Sequence, residues 1–220
     1  MSLKPSRRIV VLISGSGTNL QALIDAHIPD AEIVLVLSNR KNAYGLTRAT
    51  NASIPTAYLA LQPYLKKNPD KTRDNYDEEV ARMILAAKPD IVVLAGWMHI
   101  LGENFLELLD GRKSMDDSTS PVTVPIINLH PALPGAFDGA NAIERAYEAF
   151  GRGEIEHSGT MVHRVVKDVD RGKPVVVRNV PIEKGDSLES FEERLHRVEH
   201  EIIVEATIKI LNEVKPLPNM

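Results

Sequence analysis

Arg8-Ile9-Val10-Val11-Leu12-Ile13-Ser14-Gly15-Ser16-Gly17-Thr18-Asn19 is the stretch that decides the fold class. Its first half is a continuous apolar run rich in β-branched residues, as expected of a strand covered on both faces. Its second half is a glycine turn, and Asn19–Ala26 then has helical composition up to Pro29. A strand that breaks through glycines straight into a helix opens a βα unit of a mostly parallel sheet.

The alternation continues along the chain. Glu32–Leu37 predicts a second strand ended by Ser38-Asn39-Arg40, Gly45–Asn51 a short helix, and Thr56–Leu59 a short strand after Pro55. Asp74–Ala87 carries Tyr76, Val80, Met83, Ile84 and Ala87 at helical spacing. Asp90–Ala95 is another buried strand, closed by Gly96, and Phe105–Leu109 a brief helix. Val124–Leu129 predicts a strand running into His130-Pro131, and Ala140–Phe150 a helix. Gly159–Val166 and Pro174–Pro181 read as two strands joined by a turn around Asp168–Lys173. Leu188–Leu211 is a long amphipathic helix, with Asp186-Ser187 as its start signal and Glu189 and Glu192 in the first turn. Gly111–Val122 is polar and rich in turn formers, and is expected to be a mobile loop. The fold class is therefore α/β: a mostly parallel twisted sheet with helices on both faces and a Rossmann-like N-terminal half.

Bulk properties narrow the function. With 220 residues the chain can bury a real core. A net charge of −4 gives no general electrostatic reason for nucleic-acid binding. The absence of cysteine excludes disulfides, thiolate catalysis and zinc–thiolate clusters. The apolar run Ile9–Ile13 is far too short for a signal or membrane span, so the expected compartment is the cytoplasm.

In sheets of this kind ligands bind beyond the carboxyl ends of the strands. Polar clusters fall at such ends: Ser14–Asn19, Gly96–His99 and Asn128–His130. The first is either an anion site made of free helix-start amides or a tight turn capped by Thr18 or Asn19. It does not complete a dinucleotide fingerprint, since Leu20 stands where the third glycine belongs, and no acid follows the second strand. Asn128 and His130 face the same side of their strand, where an amide can donate to a developing oxyanion and an imidazole can carry a proton. The alternative is a histidine packed under a loop. Asp168-Val169-Asp170-Arg171-Gly172 is either a charged turn or the source of a carboxylate that orients a histidine and raises its pKa. His163 lies on a strand face as a core or cleft residue. His196 and His200 are four apart without a His-Glu-x-x-His motif, and no metal is expected.

Taken together, several stretches resemble the tetrahydrofolate-dependent formyltransferases, most closely those acting on glycinamide ribonucleotide. They are Ile9–Asp25 (IVVLISGSGTNLQALID), Tyr44–Ala49 (YGLTRA), Thr72–Glu79 (TRDNYDEE), Pro89–Leu101 (PDIVVLAGWMHIL), Ile127–Gly135 (INLHPALPG), His157–His163 (HSGTMVH), Asp168–Val177 (DVDRGKPVVV) and Val180–Ser187 (VPIEKGDS). The ordered set spans nearly the whole chain. The resemblance implies the formyltransferase fold in a single domain over residues 1–220, with a nucleotide-binding half at about 1–110 and a folate and catalytic half at about 123–212.

It also implies residue roles. Asn128 and His130 match the catalytic pair, and Asp170 the carboxylate that assists the histidine and favours its imidazolium. Gly17, Thr18 and Asn19 match the loop holding the ribonucleotide phosphate, and His196, Arg197, Val198 and Glu199 a segment near the ribose and glycinamide. Arg73, Met98, His99, Ile100, Leu101, Val166, Lys167, Asp168, Val169 and Asp170, with Asn128, match the folate pocket. His99 stands where many members carry arginine, Pro134–Gly139 departs from the commoner pattern, and Gly111–Val122 looks like an insertion. The implied reaction uses 10-formyltetrahydrofolate as co-substrate and no metal, and passes through a tetrahedral intermediate. Expected partners are small molecules only, with neither nucleic acid nor membrane, and a monomer or weak homodimer.

Rival readings are a transformylase of a charged tRNA, a formyltetrahydrofolate hydrolase, an NADP-dependent reductase using Gly15, Gly17 and Arg40, and a non-catalytic anion-binding module. The first two would be expected to bring an additional domain.

Overall fold

The computed structural model describes residues 6–114 and 122–214. Most of the expected Gly111–Val122 loop therefore lies outside the described residues. The strands are β1 (Arg7–Ile13), β2 (Ala31–Ser38), β3 (Thr56–Tyr58), β4 (Ile91–Leu94), β5 (Ile126–His130), β6 (His157–Arg164) and β7 (Pro174–Pro181). The helices are α1 (Thr18–Asp25), α2 (Tyr44–Asn51), α3 (Leu61–Lys67), α4 (Arg73–Ala86), α5 (Glu103–Leu109), α6 (Ala142–Gly151) and α7 (Leu188–Glu213).

Among the described residues the strands form one seven-stranded sheet in the order β3-β2-β1-β4-β5-β6-β7. Pairing is parallel from β3 to β5 and antiparallel through β5, β6 and β7. Alternation along β1 divides its side chains between two cores. Ile9, Val11 and Ile13 pack with Leu20 and Leu23 of α1 and Ile202, Ile203 and Ile210 of α7. Val10 and Leu12 pack on the opposite face with Tyr76, Val80 and Ile84 of α4 and Phe105 and Leu109 of α5. Each such fully buried side chain contributes about 1.5–3 kcal/mol over its exposed state. No described helix is long and apolar enough to cross a membrane.

Two elements depart from the sequence reading. Helix α3 (LQPYLKK) is not anticipated. It is short, and its Pro63 sits in the first turn, where a missing amide breaks no intrahelical bond. Strand β6 ends at Arg164 and not at Val166: its pairing with β7 shifts register between Val162 and His163. Val165 instead donates its amide to the Ile126 carbonyl at 2.9 Å, which frees Val166–Asp170 to form a loop. Gly172 closes that loop against β6, where a Cβ would overlap the Arg164 carbonyl oxygen.

Helix α7 starts as expected at Ser187, whose side chain accepts from the Ser190 amide at 3.1 Å. Asp186 pairs with both terminal nitrogens of Arg194 at 2.7 and 2.8 Å, and hydrogen bonding to Arg194 holds its carboxyl well below the usual range.

Candidate active site

Strands β1, β4 and β5 are neighbours, so their carboxyl ends open on one edge of the sheet. Asn128 and His130 lie on the same face of β5, and the antiparallel register sets His163 of β6 directly opposite Asn128. The β6–β7 loop brings Asp170 between them with a left-handed backbone, φ 56°. One carboxylate thus meets several partners. Asp170 Oδ2 lies 3.4 Å from His130 Nδ1 and accepts from the Gly139 amide at 2.8 Å. Its Oδ1 lies 3.4 Å from His163 Nε2 and accepts from Asn128 Nδ2 at 3.3 Å. The His163 ring is oriented by its Nδ1–H donating to the Arg164 carbonyl at 2.9 Å, and its Nε2 lies 3.2 Å from Asn128 Nδ2. His130, His163 and Asp170 are all buried.

The loop carrying Gly139 is itself held in place. Arg145 donates to the Phe137 and Asp138 carbonyls, each at 2.7 Å, and Arg171 pairs with Asp138 at 2.5 Å. The Pro134–Gly139 segment, unusual in sequence, is therefore fastened to both α6 and the Asp170 loop.

Two opposing influences act on His130. Burial pushes the His130 pKa below its ordinary value, although the Asp170 carboxylate pulls it upward. Burial thus works against the imidazolium that the resemblance implied, while Asp170 works for it. Burial also disfavours the Asp170 anion, but His163, the Gly139 amide and His130 together hold its carboxyl below the usual range. With an ionised Asp170 facing Nδ1, the proton of the neutral ring belongs on Nδ1 and the lone pair on Nε2. That Nε2 is buried and has no hydrogen-bond partner among the described residues.

At the end of β1, Gly17 adopts φ 72° and caps α1 without any side-chain hydrogen bond. Neither Thr18 nor Asn19 caps the helix, so its first amides stay free for an anion. A Cβ on Gly17 would lie 2.6 Å from the Gly45 Cα, so this close approach requires glycine. Arg48 of α2 donates to the Ser16 carbonyl at 2.9 Å and to Gln21 at 3.2 Å, and sits 5.0 Å from the Tyr44 ring centroid. On α7, His196 Nδ1 meets the buried Glu199 carboxylate at 2.8 Å, a bond that raises the His196 pKa. His200 is pushed down by burial, with His196 and Arg48 adding to the effect and Glu199 opposing it. Arg197 bonds the Glu193 carbonyl at 3.3 Å, and the partly buried Val198 packs against the core.

The loop after β4 exposes Met98 (71%) and Ile100 (60%), while Leu101 is buried. His99 turns inward: its Nε2 meets the fully buried Asp77 at 2.9 Å, and its ring packs edge-on to Tyr76. Asp77 also accepts the Gly102 amide at 2.9 Å, and Arg73 donates to the Ile100 carbonyl. His99 thus braces the loop from beneath, and its difference from arginine leaves the exposed surface to Met98 and Ile100. Across from them, Val166 and Val169 are exposed, and Lys167 pairs with Glu103 at 2.9 Å, which brings the two loops together. Asp168 accepts the Arg171 amide at 3.3 Å within its turn.

Sequence reasoning left His163, Gly139, Arg48 and Asp77 without roles. His163 had the best available signal, an imidazole on a strand face inside a matching stretch. Two shallow clefts, of about 300 Å³ beside Leu133 and Phe137 and about 440 Å³ beside Tyr58 and Tyr64, are not lined by Asn128, His130 or Asp170. Among the described residues no cluster of three or more His, Cys, Asp or Glu is arranged to hold a metal ion.

Residues 7–207 match the Formyl transferase family. The chain is 50% identical to a phosphoribosylglycinamide formyltransferase of Schizosaccharomyces pombe, over 94% of this chain and 98% of the relative. It is 47% identical to the protein of that name from Dictyostelium discoideum, over 93% and 97%. The crystal structure of glycinamide ribonucleotide transformylase 1 from Symbiobacterium toebii superposes with a TM-score of 0.79 at 32% identity, over 97% of this chain and 95% of that one.

Proposed function

Because this chain belongs to the formyl transferase family, we propose that it moves the formyl group of 10-formyltetrahydrofolate to the amine of 5-phosphoribosylglycinamide in purine synthesis. The observation that carries the reading is the joint arrangement of Asn128, His130 and Asp170, with the buried His130 Nε2 left without a hydrogen-bond partner among the described residues.

Direct transfer requires the amine to attack the formyl carbon, lose a proton and expel the folate nitrogen, which must gain one. A neutral His130 suits the first proton step, since its Nε2 lone pair accepts the amine proton. The imidazolium so formed lies beside Asp170, which stabilises it and fixes the ring orientation. Negative charge develops on the formyl oxygen in the tetrahedral intermediate. The Asn128 amide is suited to donate to it, because its bonds of 3.2 and 3.3 Å are long and a charged acceptor competes well against them. Collapse breaks the bond to the folate nitrogen, which takes the proton from His130. The ring returns to its neutral form, and tetrahydrofolate and the formylated amide leave.

The two substrates would approach from different strand ends. The free amides of Thr18 and Asn19 at the start of α1, with Arg48 behind them, fit a phosphate, and His196 and Glu199 of α7 fit the ribose and glycinamide. The exposed Met98, Ile100, Val166 and Val169 offer apolar walls to a flat folate ring. On this reading the phosphate site lies in the half at about 1–110 and the catalytic cluster in the half at about 123–212, while each substrate is also contacted from the other half, the folate by Met98 and Ile100 and the ribonucleotide by His196 and Glu199.

The test is an absorbance assay for deformylated folate with and without glycinamide ribonucleotide. Deformylation that depends on the ribonucleotide is expected. Formate release without it would make the protein a hydrolase, and binding of NADPH in a fluorescence titration would favour a reductase.

A further inference from the structure

Ser14 closes β1 immediately before the glycine loop and is only 2% exposed. Its hydroxyl donates to Asn39 Oδ1 at 2.7 Å and accepts the Met98 amide at 2.7 Å. Its own amide donates to the Gly96 carbonyl at 2.9 Å. Asn39 follows β2 and Met98 follows β4, and these strands flank β1 on either side. A single buried hydroxyl therefore ties together the ends of adjacent strands that lead into the proposed phosphate loop and the proposed folate loop. The remaining contacts of the folate loop, to Asp77 and Arg73, come from α4 and leave the phosphate loop untouched.

We propose that Ser14 is a positioning residue that sets the relation between the two substrate loops, a role that rests on the assignment of those loops made above. A reaction without a covalent enzyme intermediate needs its two substrates aligned with each other, and a misplacement of about 1 Å can cost 100-fold in rate. Each loop keeps its own ligand-binding groups without the hydroxyl. What is lost is their alignment, together with the hydrogen bond from the Met98 amide.

The measurements are the separate dissociation constants of glycinamide ribonucleotide and tetrahydrofolate by calorimetry, and the single-turnover formyl-transfer rate at saturation of both substrates. For Ser14→Ala the rate is expected to fall about 10- to 100-fold while each separate dissociation constant changes by less than about threefold. A wild-type rate, or a rate loss matched by an equal weakening of one separate affinity, would overturn the proposal. If Ser14→Ala fails to fold, Asn39→Ala decides by the same readouts: a smaller rate loss with intact affinities supports the role, and an unchanged rate overturns it. Wild-type protein that transfers no formyl group would overturn the loop assignment and this role together. Transfer by the wild type with an unaffected Ser14→Ala would overturn this role alone.

Discussion

The glycine loop after β1 and the cluster between β5 and β6 bind by opposite means. The loop offers backbone amides at an uncapped helix start, so its chemistry depends on shape: a left-handed Gly17 pressed against Gly45. The cluster offers side chains, and its chemistry depends on which groups share Asp170. Side-chain deletion should therefore abolish the function of the cluster outright, whereas the loop should be vulnerable only where the backbone path is forced.

The largest effect is expected in the cluster. Asn128→Ala, His130→Ala and Asp170→Ala should each lower kcat about 100- to 1,000-fold, with circular dichroism and binary ligand affinities little changed. Near-normal turnover in all these purified variants would remove the distinction between the two regions.

At the loop, Gly17→Ala should raise the KM for the ribonucleotide about tenfold or more while leaving the folate KM nearly unchanged, because the added Cβ forces the path past Gly45 and strains a left-handed residue by about 1–3 kcal/mol. A steady-state analysis varying each substrate in turn checks this. An equal rise in both constants would mean that the loop is not specific to one substrate.

The pH profile separates the regions further. Since burial lowers the His130 pKa, the acid limb of kcat/KM should fall below the ordinary imidazole value of about 6.5, with activity kept above it and lost as the ring protonates. Asp170→Asn removes the carboxylate that pulls this pKa upward, so in the residual activity the limb should move to still lower pH. A shift to higher pH would contradict the geometry. The smallest effect lies outside both regions: Ser187→Ala should cost about 1 kcal/mol of stability through loss of the α7 cap, seen as a lower melting temperature, with kcat unchanged.

The two regions also differ in how far they could be read from sequence. The β1 loop and its helix are contiguous, so strand, glycines and free amides follow from local pattern alone. The pair Asn128 and His130 is likewise legible, because alternation on one strand fixes their common face. The shared partner is not. His163 comes opposite Asn128 only through the antiparallel register of β5 and β6, and Asp170 arrives on a loop that leaves β6 after Arg164. The electrostatics of His130 are legible only in part for a related reason: the carboxylate that raises its pKa is visible in the motif, but the burial that lowers it is a property of the assembled sheet. His99 shows the same limit in the folate loop, since the buried Asp77 that turns it inward belongs to α4.

The proposed chemistry stands on an imidazole that enters the reaction uncharged, with its open nitrogen as proton acceptor. A nitrogen-detected NMR titration of His130 in the free protein, assigned with His130→Gln, addresses this directly. The account expects a neutral ring at pH 7 with the proton on Nδ1 and a pKa below that of an exposed histidine. A ring that is still cationic at pH 7, or one protonated on Nε2, would contradict it.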